Sequence, residues 1–226
     1  MAVTLTKQIL ARQARLHKDK KSFFLPLLSA AIAGRDESII ELILRQSLDA
    51  RISPLAIDET ILQSHLFLGF PAMIETSRLF AKIHPRRYKK TQLPEPYAGT
   101  TVKEWNREGL KKIRRLYGPA FERLVPYINS FSPQILTWMI NDGYGQVLSR
   151  PGLGFHLREL CTVATLTVTA YEHQLGAHIR GALNVGADAH ELNRVITDCR
   201  YFCPQKNIKL ALRIVANAVR SHAQTV

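Results

Sequence analysis

Ala182-Leu183-Asn184-Val185-Gly186-Ala187-Asp188-Ala189 leads into a run that reads as helix. Asp188 can cap it by accepting a backbone N–H. Glu191 stands three residues on, where its side chain can reach back to the cap in an Asp variant of the capping box. From Leu192, the apolar residues Val195, Ile196, Cys199 and Phe202 keep helical spacing. Pro204 ends that helix, and another runs from about Lys206 through Ile208, Leu212 and Val215 to Val219.

Ser47-Leu48-Asp49-Ala50-Arg51-Ile52-Ser53-Pro54 repeats this pattern 135 residues earlier without gaps. Ile61 falls on Ile196, Phe67 on Phe202 and Arg78 on Arg213, and Gly69 falls on Pro204, both interrupting an apolar helical run. Ser53 takes the capping place of Asp188, and Pro54 follows at the first helical position, where its missing N–H costs nothing. Helices are expected with Ile57, Ile61, Leu62 and Leu66, and then from Met73 to Phe80. Residue identity is low, so the internal repeat is a pattern claim.

Between the copies, a connector rich in Pro, Gly and Tyr spans 86–100, with Pro94, Pro96 and Gly99. A basic amphipathic helix is expected from about Val102 to Leu116, closed by Tyr117-Gly118-Pro119. A second helix spans about Ala120 to Asn129, and Ser132-Pro133 starts a third that reaches Trp138 and Ile140. Gly143, Gly145 and Ser149-Arg150-Pro151-Gly152-Leu153 read as turns into the second copy. No alternating strand pattern is present, so the fold class is all-α. The chain divides into a basic arm (1–21), a degenerate first repeat (22–85), a basic helical connector (86–141) and a second repeat (142–226).

The net charge of +13 is localised. Residues 1–21 carry six Lys/Arg against Asp19, and 82–123 carry twelve against four acids; the remainder balances. Lys7, Arg12, Arg15, Lys18, Lys20 and Lys21 alternate with Leu5, Ile9, Leu10 and Leu16, which reads as a solvated helix or arm. An organelle-targeting leader is disfavoured by its lack of Ser. Arg86-Arg87-Tyr88-Lys89-Lys90 and Lys111-Lys112-Ile113-Arg114-Arg115 read as solvated faces; without an accompanying motif, nucleic-acid binding is disfavoured. No apolar run approaches the roughly 18 residues of a membrane span. Three cysteines, Cys161, Cys199 and Cys203, fit a reducing compartment, so the expected location is cytoplasmic.

Asp142-Gly143-Tyr144-Gly145, Ser149-Arg150-Pro151-Gly152-Leu153, Arg158-Glu159-Leu160 and the run from Gln174 through His178 to Gly186 together resemble the carboxymuconolactone decarboxylase family. The resemblance covers about 142–220, and more faintly 22–83. It implies an alkylhydroperoxidase D-like helical bundle, internally duplicated here, that assembles into oligomers. Single-repeat relatives form trimers or hexamers, which makes a homotrimer of the fused pair the first expectation and a dimer the second. In the peroxidase branch a Glu, a C-x-x-C pair and a His form the site. Here the cysteine places fall on Tyr171 and Gln174, so thiol peroxidase chemistry is disfavoured.

Glu159 and His178 lie 19 residues apart, which on one unbroken helix is about 28 Å. They meet only if the chain turns back. Thr165-Leu166-Thr167-Val168-Thr169 is poor in strong helix formers, which places a break near 168–172. Tyr171, Gln174 and His178 then share one stripe of the next helix. A carboxylate facing that stripe sets the protonation of His178, giving an acid/base pair suited to proton transfer beside a carbonyl, or to decarboxylation. The alternative for both is structural, as a helix-start carboxylate and a satisfied imidazole. Arg158 and Arg180 are candidates for binding a substrate carboxylate. His173 is expected on the surface, Cys199 and Cys203 in the core, Cys161 near the pocket, and Trp105 and Trp138 in packing. No metal pattern appears, and no cofactor is expected. In the first copy, Arg158, Glu159 and His178 map to Phe23, Phe24 and Ile43, so one chain supplies one site, and the apolar run Phe23 to Leu28 must be buried. Two function classes follow: a decarboxylase-like lyase acting on a small carboxylated lactone or oxo-acid, and a non-catalytic scaffold or binding protein.

Overall fold

A computed structural model describes residues 6–85 and 101–223. Leu5, the Arg86 to Lys90 cluster, Pro94, Pro96 and Gly99 lie outside them. Among the described residues the chain is all-α, with no strand. Helices α1 (Lys7–Arg15), α2 (Lys21–Gly34), α3 (Glu37–Asp49) and α4 (Pro54–Ile83) come first. Then follow α5 (Val102–Tyr117), α6 (Phe121–Asn129), α7 (Pro133–Trp138) and a π-helix (Met139–Val147). Helices α8 (Phe155–Thr169), α9 (Glu172–Asn184), α10 (Ala189–Asp198) and α11 (Gln205–Ala223) complete the chain.

The centre is the pair α2 and α8, which pack along each other. Both are buried around most of their circumference, including the whole run from Phe23 to Ile32 and that from Arg158 to Thr167. A helix apolar on all sides has no solvent face to offer and must lie inside. Around α2 gather α1, α3 and α4, and around α8 gather α9, α10 and α11, each group with its own apolar core.

The element boundaries of the two groups keep the 135-residue offset. Glu37–Asp49 and Glu172–Asn184 coincide end to end, and Pro54 and Ala189 both start helices. The left-handed residue closing α2, Arg35 (φ 62°), corresponds to Ala170 (φ 59°) closing α8. Arg51 (φ 60°) likewise corresponds to Gly186 (φ 107°). Gly69 (φ 77°) breaks α4 where Pro204 separates α10 from α11.

Four local expectations are corrected. Ser53 makes no side-chain cap bond, whereas Asp188 accepts from Glu191 N at 2.7 Å. The Glu191 carboxylate does not return to the cap; it meets His156 Nε2 at 2.7 Å. Gly143 and Gly145 lie in the π-helix rather than in a turn, because this segment must place backbone against α5. A Cβ on Gly145 would sit 2.2 Å from the Trp105 carbonyl oxygen, and one on Gly109 would sit 1.9 Å from that of Ile140. The basic leader is not a solvated arm: Leu10 is fully buried, Ala14 and His17 are buried, and the Lys20 ammonium donates to the carbonyls of Ala14 and His17. Its charges point outward while Leu10, Ala14 and His17 point inward, so charge count alone could not reveal that it docks.

The connector is a third packed unit. Ile113, Leu116, Phe121, Ile128, Leu136, Ile140, Tyr144 and Leu148 form its core together with Phe155 and Val185. The Thr101–Glu104 capping box starts α5, and the Asn184 side-chain amide donates to the Leu116 carbonyl at 2.7 Å, tying α5 to α9. In the Lys111 to Arg115 cluster, Ile113 is buried, Arg114 and Arg115 are exposed, and Lys112 rests over the Phe155 ring at 4.7 Å. Among the described residues no helix is long and apolar enough to cross a membrane.

Candidate active site

Helix α8 ends at Thr169, Ala170 takes a left-handed conformation, and α9 starts at Glu172, so the chain reverses within two residues. The reversal brings His178 Nδ1 to 2.8 Å from Glu159 Oε2. Glu159 is fully buried and His178 is 4% exposed. A carboxylate only accepts, so Nδ1 carries the proton and donates, which leaves the Nε2 lone pair for a ligand. The second carboxylate oxygen, Glu159 Oε1, is buried without a hydrogen-bond partner among the described residues. The Phe67 ring meets the imidazole edge-on at 5.5 Å and fixes its plane.

His178 lies on the wall of a cavity of about 1210 Å³. Tyr117, from the end of α5, and Tyr144, from the π-helix, line it as well, each close enough to shift the other's phenol. Burial pushes both phenols up, Tyr144 the further because Tyr117 and Glu159 add to its burial. Both therefore stay neutral and can donate hydrogen bonds at any pH the protein meets. Neither was identified as a site residue from the sequence. Tyr144 stood inside the Asp142-Gly143-Tyr144-Gly145 motif, but Tyr117 read as helix-closing punctuation and carried no signal.

Tyr171, Gln174 and Arg180 line the cavity; Tyr171 precedes α9 rather than lying on it. Arg158 does not reach the cavity. Its guanidinium is fully buried on the other side of α8, donating to Glu59 Oε2 at 2.8 Å and to the carbonyls of Leu153 and Arg150 at 3.2 and 3.1 Å. Successive residues of a helix point about 100° apart, so the two side chains leave α8 in different directions, Glu159 toward His178 and Arg158 toward Glu59. His173 is exposed, as expected, and stands at the cavity edge; Trp138, expected in packing, lines the cavity with 58% of its surface exposed.

The thiols take no part. Cys161 is buried beside Ser29 and Thr60, and burial pushes it up to about 12. Cys199 is buried and pushed well up by burial, then by Cys203 and Asp198, while burial raises Cys203 to about 11. Inert thiols of this kind pack as small apolar groups. Among the described residues no group of three or more His, Cys, Asp or Glu is placed to hold a metal ion.

A buried carboxylate–imidazole pair beside two neutral phenols can move a proton to or from carbon while hydrogen-bonding an adjacent oxyanion. The carboxymuconolactone decarboxylase family model matches residues 135–217. The 4-carboxymuconolactone decarboxylase of Acinetobacter baylyi is 32% identical over 80 residues, which are 35% of this chain and 60% of that protein. The chain thus covers less than two thirds of this curated relative. No solved structure gives a significant match. The matched segment contains the π-helix with Tyr144, the helix of Glu159 and the helix of His178, and over this segment the chain is similar to the carboxymuconolactone decarboxylase family.

Proposed function

We propose that the protein is a carboxy-lyase that acts on a carboxylated lactone or oxo-acid, with Glu159 and His178 as its acid/base pair. The observation that carries this reading is the 2.8 Å contact between His178 Nδ1 and Glu159 Oε2, buried at the wall of an open cavity. When a carboxylate leaves as carbon dioxide, its bonding pair remains on the neighbouring carbon and delocalises onto the carbonyl oxygen. Tyr117 and Tyr144 hydrogen-bond that developing oxyanion. Protonated His178, stabilised by the Glu159 carboxylate, then delivers a proton to the carbon. Gln174 and Arg180 hold the substrate, and Arg180 supplies the cation for a carboxylate.

The alternative is a non-catalytic scaffold in which Glu159 and His178 form a satisfied structural pair, and the two readings separate in one assay. Carboxylated lactones and oxo-acids are screened for carbon dioxide release, with His178→Ala as control. Release that depends on His178 supports the enzyme; no release from any of them supports the scaffold.

The two helical groups are, on this reading, copies of one unit, and the first copy has lost its site. Phe24 and Ile43, at the places of Glu159 and His178, are both buried in apolar core. Three chains would then assemble as a homotrimer, with a dimer as the second choice. Three free cysteines favour a cytoplasmic setting.

A further inference from the structure

The cavity changes character from its floor to its mouth. The floor is the polar set of buried His178 and Tyr144 and half-buried Tyr117, with Leu166 and Leu148 beside it. The outer wall comes from α6, α7 and the start of the π-helix, and it is apolar and aromatic. There Tyr127, Phe131, Ile135 and Trp138 leave 65%, 55%, 39% and 58% of their surfaces exposed. Aromatic side chains present large apolar areas, and a cluster of them left in water marks a binding surface. Arg123 on α6 and Arg180 on α9 place cations on two sides of the same space, against the single acid Asp142.

A small polar lactone does not account for this wall. It would occupy the floor and leave most of about 1210 Å³ to water, in a space as large as those that enclose drug-sized ligands, roughly 300–1,000 Å³. We infer that the site takes an amphipathic acid, an oxo-acid or lactone bearing an extended alkyl or aryl tail. Its carbonyl end sits at Tyr117, Tyr144 and His178, and its tail lies along Ile128, Phe131, Ile135 and Trp138. The two arginines draw the anion to the mouth. This inference rests on the acid/base reading for the position of the reactive end, but the tail site stands on the wall itself.

The test is a binding experiment that needs no turnover. Decanoate and butanoate, unreactive acids with the same head, are titrated below micellar concentration. The full chain carries Trp105→Phe, so that Trp138 is the sole tryptophan and reports from the wall. Decanoate should quench saturably and bind at least about 50-fold more tightly than butanoate, because each added methylene strengthens binding roughly two- to fourfold. Phe131→Ala and Ile135→Ala should weaken decanoate about tenfold and leave butanoate unchanged. Equal affinities, no saturation, or indifference to both substitutions would overturn the inference. So would burial of Trp138 in a concentration-dependent dimer that decanoate fails to disrupt, since the wall would then face a second copy. His178→Ala separates the two readings. Decanoate binding retained in that variant, with no acid ever decarboxylated by the wild type, leaves the tail site standing and removes the lyase. Release of carbon dioxide from small lactones, with decanoate neither binding nor competing, does the reverse.

Discussion

Arg158 on α8 and Glu59 on α4, 99 residues apart in the chain, meet at 2.8 Å with 0% and 1% of their side chains exposed. Glu59 also receives Arg150 Nε at 2.8 and 2.9 Å, and Gln63, one turn along α4, donates to the Arg158 carbonyl at 2.8 Å and to Thr162 at 3.0 Å. Both helical groups are thus locked through one carboxylate. The lock also fixes the rotation of α8, and so the direction in which the adjacent Glu159 points.

Removing one member of such a pair leaves the other buried and unpaired, which costs about 3–5 kcal/mol. Glu59→Gln should lower Tm by roughly 6–20 °C for a chain of this size. The double replacement Glu59→Leu with Arg158→Met removes both charges and should recover most of that loss. Calorimetry of the three proteins decides it. A double variant as unstable as the single one would show that the pair contributes more than it costs to bury.

The close approach of α5 to the π-helix positions the two tyrosines. Gly145→Ala puts a methyl 2.2 Å from the Trp105 carbonyl oxygen, and backbone, unlike a side chain, cannot step aside locally. The helices must separate, at about 1–3 kcal/mol. Tyr117 and Tyr144 ride on these two elements, so the phenols should move apart and lose part of the burial that raises them. Near-ultraviolet absorbance titration reads this as a phenol that ionises at lower pH in the variant than in the wild type. An unchanged tyrosine titration would show that the pair does not depend on this crossing.

Leu10 is fully buried against α3 and its neighbours. Leu10→Ala should cost about 2–5 kcal/mol, and deletion of residues 1–20 should lower Tm by at least that equivalent, roughly 4–20 °C. A truncated chain that melts with the wild type would restore the solvated arm that the leader's composition suggests.

Why part of the site was legible and part was not follows from what each residue needs. Glu159 and His178 were singled out by the family resemblance, and their spacing, too long for one helix, required a break near 168–172; it falls at Ala170, after a β-branched stretch that stays helical. The all-α class followed from periodicity at Leu192, Val195 and Ile196, which local spacing records. Arg158 reads as a substrate ligand from the sequence because its partner Glu59 is distant there, and an arginine beside a candidate acid/base carboxylate looks like one. Tyr117 was invisible for the same reason: its role exists only once α5 crosses the π-helix and α9. That crossing depends on Gly109, Gly145 and Gly181, whose missing side chains leave no periodic trace.

A second buried cluster gives a pH prediction with opposing signs. His17 is 5% exposed, stacks on Phe23 at 4.3 Å, and places Nε2 at 3.8 Å from Asp198 Oδ2. Burial, then Arg194 and Lys20, push His17 from 6.5 down to about 4. Burial outweighs Arg200 and Arg194 at Asp198 and raises it from 3.8 to about 6. For His17, the unfolded chain binds more protons between about 4 and 6.5, so its contribution to stability grows as pH rises through that window. For Asp198, the folded chain binds more protons between 3.8 and about 6, so its contribution is lost as pH rises through that window. In the wild type the two slopes oppose and largely cancel. The single variants should uncover them, measured as differences in the urea midpoint from wild type so that all other titrations drop out. Asp198→Asn removes the falling term, and its difference curve should rise from pH 4 to 6. His17→Phe removes the rising term, and its difference curve should fall over the same range. Difference curves of the same sign, or flat ones, would mean that the two groups do not titrate against each other.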